Sequence, residues 1–292
     1  MSSFNCIYKL RDWIDNNKLD WKSLSENSNA IHLLEQNPDK IHWDELSSNP
    51  NAIHLLERNF DKIDWYYLSR NPNTIHLLER NTDKIIWFCL SMNPNAIKIL
   101  EQNPDKIDWG FLSQNPNAIK LLEQNQDKIN WVSLSRNPNE DAIKLLAQNP
   151  DKIDWEILSS NPNAIKLLEA NFDKIIWCGL SMNPNAMHIL LANFDKINWK
   201  FLSKNPNAMF LLESNQDKID WQYLSSNYAA IDLLERNKYM IDWSYFSYNP
   251  GIFELDTNAM KLQIIDFAED LAKACFHPKR VERYLEEYNH EL

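Results

Sequence analysis

Residues 87–108 read WFCLSMNPNAIKILEQNPDKID, and variants of this 22-residue unit follow one another along most of the 292-residue chain. We number the positions of a unit from its tryptophan, and the units from 1 to 11 along the chain. One interval between tryptophans is 24 residues instead of 22, because Glu140 and Asp141 are inserted there. A fixed period of this kind indicates a stacked repeat architecture. The opening tryptophans are Trp21, Trp43, Trp65, Trp87, Trp109, Trp131, Trp155, Trp177, Trp199, Trp221 and Trp243.

Each unit carries signals for two short helices. Asn93 and Pro94, at positions 7 and 8, suit a helix N-cap and the first helical residue. The apolar residues at 96–100 then follow with helical spacing, up to Asn103, a residue type that tolerates a left-handed C-cap. The other helix begins near the tryptophan. Its cap is either the Asp or Asn at position 22 or the aspartate at position 19, and the pattern leaves both open.

Helices this short are unstable alone, so the units must stack and bury a shared core that includes the tryptophans. We therefore predict an all-α fold, an α-solenoid of about eleven helix-hairpin repeats with helical caps at both ends. Residues 1–20 form an N-terminal half-repeat cap, 21–249 the array and 250–292 a C-terminal helical cap. At ~8–10 Å per layer the array would be extended and on the order of 100 Å long. A leucine-rich β-solenoid is the rival, but Leu-Leu-Glu after Asn-Pro is a poor strand.

The amino-acid composition limits the classes of protein to which the chain can belong. The chain has 30 Lys and Arg against 41 Asp and Glu, a net charge of −11, and only three glycines. Its four cysteines are scattered and fit free thiols in a reducing compartment. Neither a secretory signal nor a long apolar span is visible, so we expect a cytoplasmic protein.

The unit N-P-N-A-I-x-L-L-E-x-N-x-D-K-I-D-W resembles a repeat family found in large DNA viruses that infect amoebae and algae. This resemblance covers roughly residues 21–250. The segment 277–285, HPKRVERYL, looks like a box that recurs near the ends of such proteins. The resemblance implies a viral origin, in the host cytoplasm or the virion, and an interaction role. It supplies no catalytic residues.

Variable positions indicate where a partner would bind, because the recurring residues hold the stack together. Positions 2 and 3 are rich in aromatic side chains, which dominate interface hot spots. The alternative is that these rings pack between layers as auxiliary core. The candidates are Tyr66, Tyr67, Phe88, Phe111, Phe201, Tyr223 and Tyr245.

Position 12 forms a second stripe of histidines and lysines. A zinc site is excluded because copies ~8–10 Å apart cannot place ligands within ~2.0–2.3 Å of one ion. Two interpretations remain: a solvated row paired with acidic neighbours, or a basic ridge for an acidic partner. The candidates here are His54, His76, Lys98, Lys120, Lys144 and Lys166.

Catalytic and cofactor motifs are missing from the sequence, which has no G-x-S-x-G, H-E-x-x-H or phosphate-binding glycine loop. The serine at position 5 is interpreted as structural. The asparagines at positions 7 and 17 are predicted to form two hydrogen-bonded ladders between layers. We thus expect a monomeric, non-enzymatic scaffold for a host or viral protein, without cofactor, metal or membrane. The alternatives are a modular RNA-binding protein, disfavoured by the net charge, and a structural virion or assembly component.

Overall fold

Each unit folds into two short α-helices separated by turns. In unit 4 the first helix spans Trp87–Met92, the second Ile97–Gln102, and a 3-10 turn, Pro104–Lys106, leads into unit 5. The structure is a computed structural model that describes residues 7–275. It confirms the all-α repeat solenoid.

The first helices begin at the tryptophans, and the second helices begin at position 11 in nine of the ten units that have one. The first helices are Trp21–Glu26, Trp43–Ser48, Trp65–Arg70, Trp87–Met92, Trp109–Leu112, Trp131–Arg136, Trp155–Ser159, Trp177–Met182, Trp199–Leu202, Trp221–Ser225 and Trp243–Tyr248. The second helices are Ile31–Glu35, Ile53–Arg58, Ile75–Arg80, Ile97–Gln102, Ile119–Glu123, Glu140–Gln148, Ile165–Ala170, Met187–Ala192, Met209–Ser214 and Ile231–Arg236. Strand β1 is Tyr8–Leu10, strand β2 is Phe253–Leu255, and a C-terminal helix spans Thr257–Cys275.

The helix ends show which residue caps the first helix of each unit. Position 22 caps the first helix, since the Asp64 carboxylate accepts hydrogen bonds from the backbone N–H groups of Tyr66 and Tyr67 at 2.9 and 3.2 Å. The asparagine at position 7 caps a single turn, and in unit 4 the α-helix starts only at Ile97, three residues later than predicted. Asn103 does not adopt the left-handed conformation, because its φ is −134°.

A row of buried asparagines at position 7 joins neighbouring units. The Asn115 amide donates to two carbonyl oxygens of unit 4, Ser91 at 3.0 Å and Asn93 at 2.9 Å, while its own oxygen accepts from the Asn117 N–H. This ladder is confirmed, with backbone carbonyls as the acceptors. The predicted second ladder is wrong: Asn103 donates within its own unit, to the Ile99 carbonyl.

The serine at position 5 adds a second link between units. The Ser91 hydroxyl donates to the Trp87 carbonyl at 2.9 Å and accepts the N–H of Asp108 at 3.0 Å. Because Asp108 precedes the tryptophan of unit 5, this bond sets where the next unit begins. The serine is therefore structural, as predicted.

These bonds continue from the last unit to the first, so the array is a closed ring. The Asn27 amide of unit 1 donates to the carbonyls of Ser247 and Asn249 in unit 11, at 3.0 and 3.1 Å. The Asp20 N–H donates to the Ser247 hydroxyl at 2.9 Å, which is the serine link of every other unit. The first helix of unit 1 packs against the first helices of both unit 2 and unit 11.

The two ends of the chain complete one unit together. Unit 11 opens at Trp243, and the N-terminal segment supplies its last residues, Lys18–Asp20, with the lysine over the tryptophan ring. Strands β1 and β2 pair antiparallel across this seam, with Lys9 opposite Glu254. The segments 1–20 and 250–292 were expected at opposite ends of an extended array, whereas their described parts meet. The expectation of an open stack is therefore wrong.

The first helices form the inner layer of the ring. Most consecutive first helices pack side by side, whereas consecutive second helices lie farther apart. Because the spacing between units grows with distance from the ring axis, the closely packed layer is the inner one. Eleven steps of ~8–10 Å place the inner helix axes on a circle about 30 Å across, leaving an opening of about 20 Å after one helix diameter is removed.

The core lies between the two layers and consists mainly of leucines. Leu90 and Leu100, at positions 4 and 14, are fully buried, as are their counterparts. The tryptophans were predicted to be buried with them, but they are only partly buried at the edge of this core. Nine of the eleven rings face a lysine at position 20. In unit 4, Lys106 Nζ lies 4.4 Å from the centroid of Trp87. An exposed cation–π contact of this kind contributes ~0.5–1 kcal/mol.

The insertion at 140–141 does not interrupt the ladder. It lengthens the second helix of unit 6 to Glu140–Gln148, capped by Asn139. The Asn161 amide of unit 7 still donates to the Ser135 and Asn137 carbonyls of unit 6 at 3.1 and 2.9 Å. The extra residues are therefore absorbed in the outer layer.

Ring closure predicts that Asn27 is as important as any asparagine inside the array. Asn27→Ala and Asn115→Ala should each lower the free energy of unfolding by roughly 2–4 kcal/mol, because each removes two buried hydrogen bonds to the neighbouring unit and the side-chain acceptor of the N–H two residues on. Urea denaturation followed by tryptophan fluorescence measures the loss.

Asn103→Ala is the matched control, since it removes one bond within a unit and should cost roughly 0.5–1.5 kcal/mol. If Asn27→Ala proved as mild as this control while Asn115→Ala did not, unit 1 would make no contact with unit 11 and the ring would be open.

Candidate binding surface on the inner face

The inner face consists of positions 2, 3 and 6 of each first helix. These positions lie on the side of the helix opposite the buried leucine of position 4. They therefore point away from the second helices and line the opening. All seven aromatic residues predicted from the sequence belong to this surface.

The aromatic rings form two clusters. In the first, Tyr66 lies 5.1 Å from Tyr67 and 5.8 Å from Phe88, whose ring is 5.6 Å from Phe111, all between centroids. Tyr66 is 43% exposed and Phe88 40% exposed. Rings this accessible are not auxiliary core, so the alternative interpretation is wrong for these two. Tyr66 and Phe88 contact each other edge to face across two units and remain accessible from the lumen.

The second cluster repeats this arrangement on the other side. Phe201 lies 5.9 Å from Tyr223, and Tyr223 lies 6.4 Å from Tyr245, which is 40% exposed. The clusters occupy units 3–5 and 9–11, and their centres are five or six units apart in either direction around the ring. Two aromatic patches therefore face each other across the opening.

Polar groups separate the aromatic clusters on the inner face. In units 1 and 2, Lys22 Nζ lies 3.2 Å from Glu45 Oε1, and the Glu45 side chain is only 14% exposed. Burial raises the pKa of the nearby Glu26 carboxyl, the Glu45 carboxylate raises it further, and Arg70 partly offsets the rise. The influence of Arg70, two units away, fits side chains that converge toward a ring axis.

The charge of the inner face differs from that of the whole protein. It carries five basic residues, Lys22, Arg70, Arg136, Lys200 and Lys204, and four acidic ones, Glu26, Asp44, Glu45 and Glu156. The whole chain has a net charge of −11. The acidic excess therefore lies outside the opening, which is nearly neutral and aromatic.

The stripe of position 12 lies on the second helices, on the outside of the ring. His54 Nε2 is 2.8 Å from Glu35 of the preceding unit, and His76 Nε2 is 3.0 Å from Glu57. Lys144 pairs with Asp141. This supports the interpretation of a solvated, ion-paired row for these three residues. Lys98, Lys120 and Lys166 are exposed on the same outer surface. The structure thus separates the two predicted groups instead of combining them into one site.

Position 6 supplies inner-face residues that our candidate list omitted, notably Arg70 and Tyr248. Burial and then the Glu26 carboxylate raise the pKa of the Tyr248 phenol. The variability of position 6 was the signal that could have identified them. The Lys–Trp contacts were also missed, although lysine stands at position 20 in every unit from 1 to 9.

Within residues 7–275, no three His, Cys, Asp or Glu side chains converge in a way that could hold a metal ion. Over the same range, every helix is too short or too polar to cross a membrane. Scans against protein-family models, curated proteins and solved structures find no match to this chain.

The raised pKa of Glu26 predicts a pH effect on stability. The folded state holds this proton more tightly than the unfolded chain does, so Glu26 lowers stability as the pH rises above its ordinary value of 4.5. Glu26→Gln should therefore raise the melting temperature relative to wild type at pH 7, and this gain should shrink toward pH 4.

Thermal melts at the two pH values test this, with Glu101→Gln on an exposed outer helix as the control. If Glu26→Gln lost more stability at pH 7 than at pH 4, the carboxylate would be stabilised at this site and the prediction would be wrong.

Proposed function

We propose that this protein is a non-enzymatic binding scaffold whose partner, a protein, occupies the opening of the ring. The single observation that carries the proposal is the pair of half-exposed aromatic clusters facing each other across the lumen. Tyr66, Phe88 and Tyr245 are each at least 40% exposed, and each of them contacts another aromatic ring of the inner face. Exposed apolar patches of this kind, rimmed by polar groups, are typical of interaction sites.

Rigidity supports this role. The eleven position-7 asparagines and the serine links hold the first helices in fixed register, so the aromatic side chains are positioned before a partner arrives. A preorganised surface loses little conformational entropy on binding. The rings also stack on one another, which restricts their rotamers in the free protein.

The chemistry of the inner face favours a protein partner over a nucleic acid. Phosphate contacts supply most non-specific affinity for nucleic acids, and they need clustered Lys and Arg. The inner face is nearly neutral, and the chain as a whole is acidic. Aromatic residues, in contrast, are enriched where proteins bind proteins. The resemblance to viral repeat proteins suggests a partner in an infected cell or a virion, where an assembly role would use the same surface.

Affinity capture with matched variants tests the proposal. The inner variant combines Phe88→Ala, Phe111→Ala and Tyr223→Ala. The control combines Phe210→Ala, Tyr228→Ala and Tyr239→Ala, which removes three aromatic residues that are 53, 61 and 85% exposed outside the inner face. We expect a protein captured from cell lysate by the wild type to be lost, at least tenfold, with the inner variant and retained by the control.

Equal capture by all three forms would exclude the inner face. The variant Lys98→Glu, Lys120→Glu, Lys166→Glu tests the outer basic stripe in the same assay, and loss with this variant alone would move the site to the outside. Capture of RNA or DNA that falls steeply with salt would replace the protein partner with a nucleic acid.

A further inference from the structure

At three places around the ring, a phenylalanine at position 18 packs on the tryptophan that opens the next unit. The ring centroids of Phe60 and Trp65 are 5.5 Å apart, with an angle of 72° between the ring planes. Lys84, at position 20 of the unit that Trp65 opens, lies over both rings, with its Nζ 4.8 and 4.9 Å from their centroids. The same three-part contact is formed by Phe172, Trp177 and Lys196, and by Phe194, Trp199 and Lys218. The chain therefore shows three times how a tryptophan and a lysine together hold an aromatic side chain.

Between units 3 and 4 the same contact lacks its phenylalanine. Position 18 is Thr82 there, while Lys106 Nζ still lies 4.4 Å from the centroid of Trp87. The short threonine side chain leaves a groove of about 560 Å³ beside the indole, which we call the Trp87 groove. It is bordered by Thr82, Trp87 and Lys106 and by the carboxylates of Glu79 and Asp83. The tryptophan and the lysine are thus in place, and the position of the aromatic ring is open.

The two carboxylates of the groove indicate the charge of its ligand. Glu79 and Asp83 are both exposed, and in the described part of the chain neither takes part in an ion pair. At the Phe60 contact, the equivalent glutamate, Glu57, lies 3.0 Å from His76. Two carboxylates without a basic partner attract a cation and repel a phosphate group. The groove therefore fits a basic peptide segment better than a nucleotide.

We propose that the Trp87 groove binds an aromatic side chain of a partner polypeptide, which carries a basic residue next to it. The bound ring takes the place that Phe60 has beside Trp65, so that it packs on Trp87 and lies under the Lys106 ammonium group. Both contacts are stabilising in this geometry. None of the residues that border the groove stands at position 2, 3 or 6. The groove is therefore a second binding site, separate from the inner face.

NMR spectra of the full chain test the proposal with the peptide N-acetyl-phenylalanyl-lysine amide. The peptide should shift the indole N–H resonance of Trp87, which is assigned by its loss in Trp87→Phe. Concentrations up to about 10 mM are needed, because a small ligand with one buried side chain binds weakly. Alanine in place of phenylalanine in the peptide should weaken binding at least tenfold. Thr82→Phe should do the same, because the new ring fills the groove, whereas Thr82→Val keeps the side-chain size and should bind like the wild type.

Phe172→Thr is the reciprocal variant. It should open a matching groove beside Trp177, where Lys196 holds the place of Lys106. The peptide should then shift a second indole resonance, that of Trp177, which it leaves unshifted in the wild type. An unshifted Trp177 in this variant would show that the tryptophan and the lysine do not suffice to hold an aromatic ring, and would contradict the proposal.

Three further outcomes would overturn it. They are an unshifted Trp87 in the wild type, equal binding by the wild type and Thr82→Phe, and a larger shift with adenosine monophosphate than with the peptide, which would make a nucleotide base the ligand. The inner variant, Phe88→Ala with Phe111→Ala and Tyr223→Ala, should still bind the peptide. Loss of binding in that variant would place the peptide in the opening of the ring instead. Partner binding in the opening is measured separately by the capture experiment.

Discussion

The fully buried amide of the position-7 asparagine is the interaction on which this structure depends. Its two N–H donors and its oxygen lie out of contact with water, so each must find a partner within the protein. Within its own unit the asparagine satisfies only the oxygen, which caps the following turn. The two donors reach carbonyls at positions 5 and 7 of the preceding unit. The hydrogen bonds of a unit are therefore all made only when a neighbouring unit lies on each side of it.

This requirement explains why closing the ring is favourable. An open array would leave the Asn27 amide donors without their acceptors at one end, and at the other end the Ser247 and Asn249 carbonyls would each lose the bond from Asn27. Repeat proteins usually protect such ends with polar capping repeats. Here the ends meet, and all eleven asparagines make the same pair of bonds. Because unit 11 is assembled from both termini, the closing contact is non-covalent and joins residues 220 positions apart in sequence.

Local structure was largely predictable from the sequence, and the closure was not. The period, the two helices, the position-22 cap and the position-7 ladder follow from residue types and their spacing. Closure depends on a rotation of about 33° between consecutive units. This rotation comes from a small difference in spacing between the inner and outer layers, which no single residue encodes. One signal was available: Lys18-Leu19-Asp20 provides the end of a unit that has no beginning, and Trp243 begins a unit that has no end. We predicted that the tryptophans are buried in the core, because the lysines that contact their rings were not considered.

Closure also changes what the candidate residues mean. In an extended stack, positions 2 and 12 would form two parallel stripes that a single partner could span. In a ring the first stripe lines a confined opening and the second faces outward, so a partner held in the opening does not reach the second. The aromatic residues of units 3–5 and 9–11, distant in sequence, become opposing walls of one opening.

The order of two distances tests ring closure most directly. Spin labels are placed at position 12 by His32→Cys with Asp232→Cys, and by His32→Cys with Lys144→Cys, in a chain whose four native cysteines are replaced. Around the ring the first pair is two units apart and the second pair five units apart. Pulsed electron paramagnetic resonance should therefore give the shorter distance for residues 32 and 232. In an open array these residues are nine units apart, and a longer distance for this pair than for residues 32 and 144 would contradict the ring.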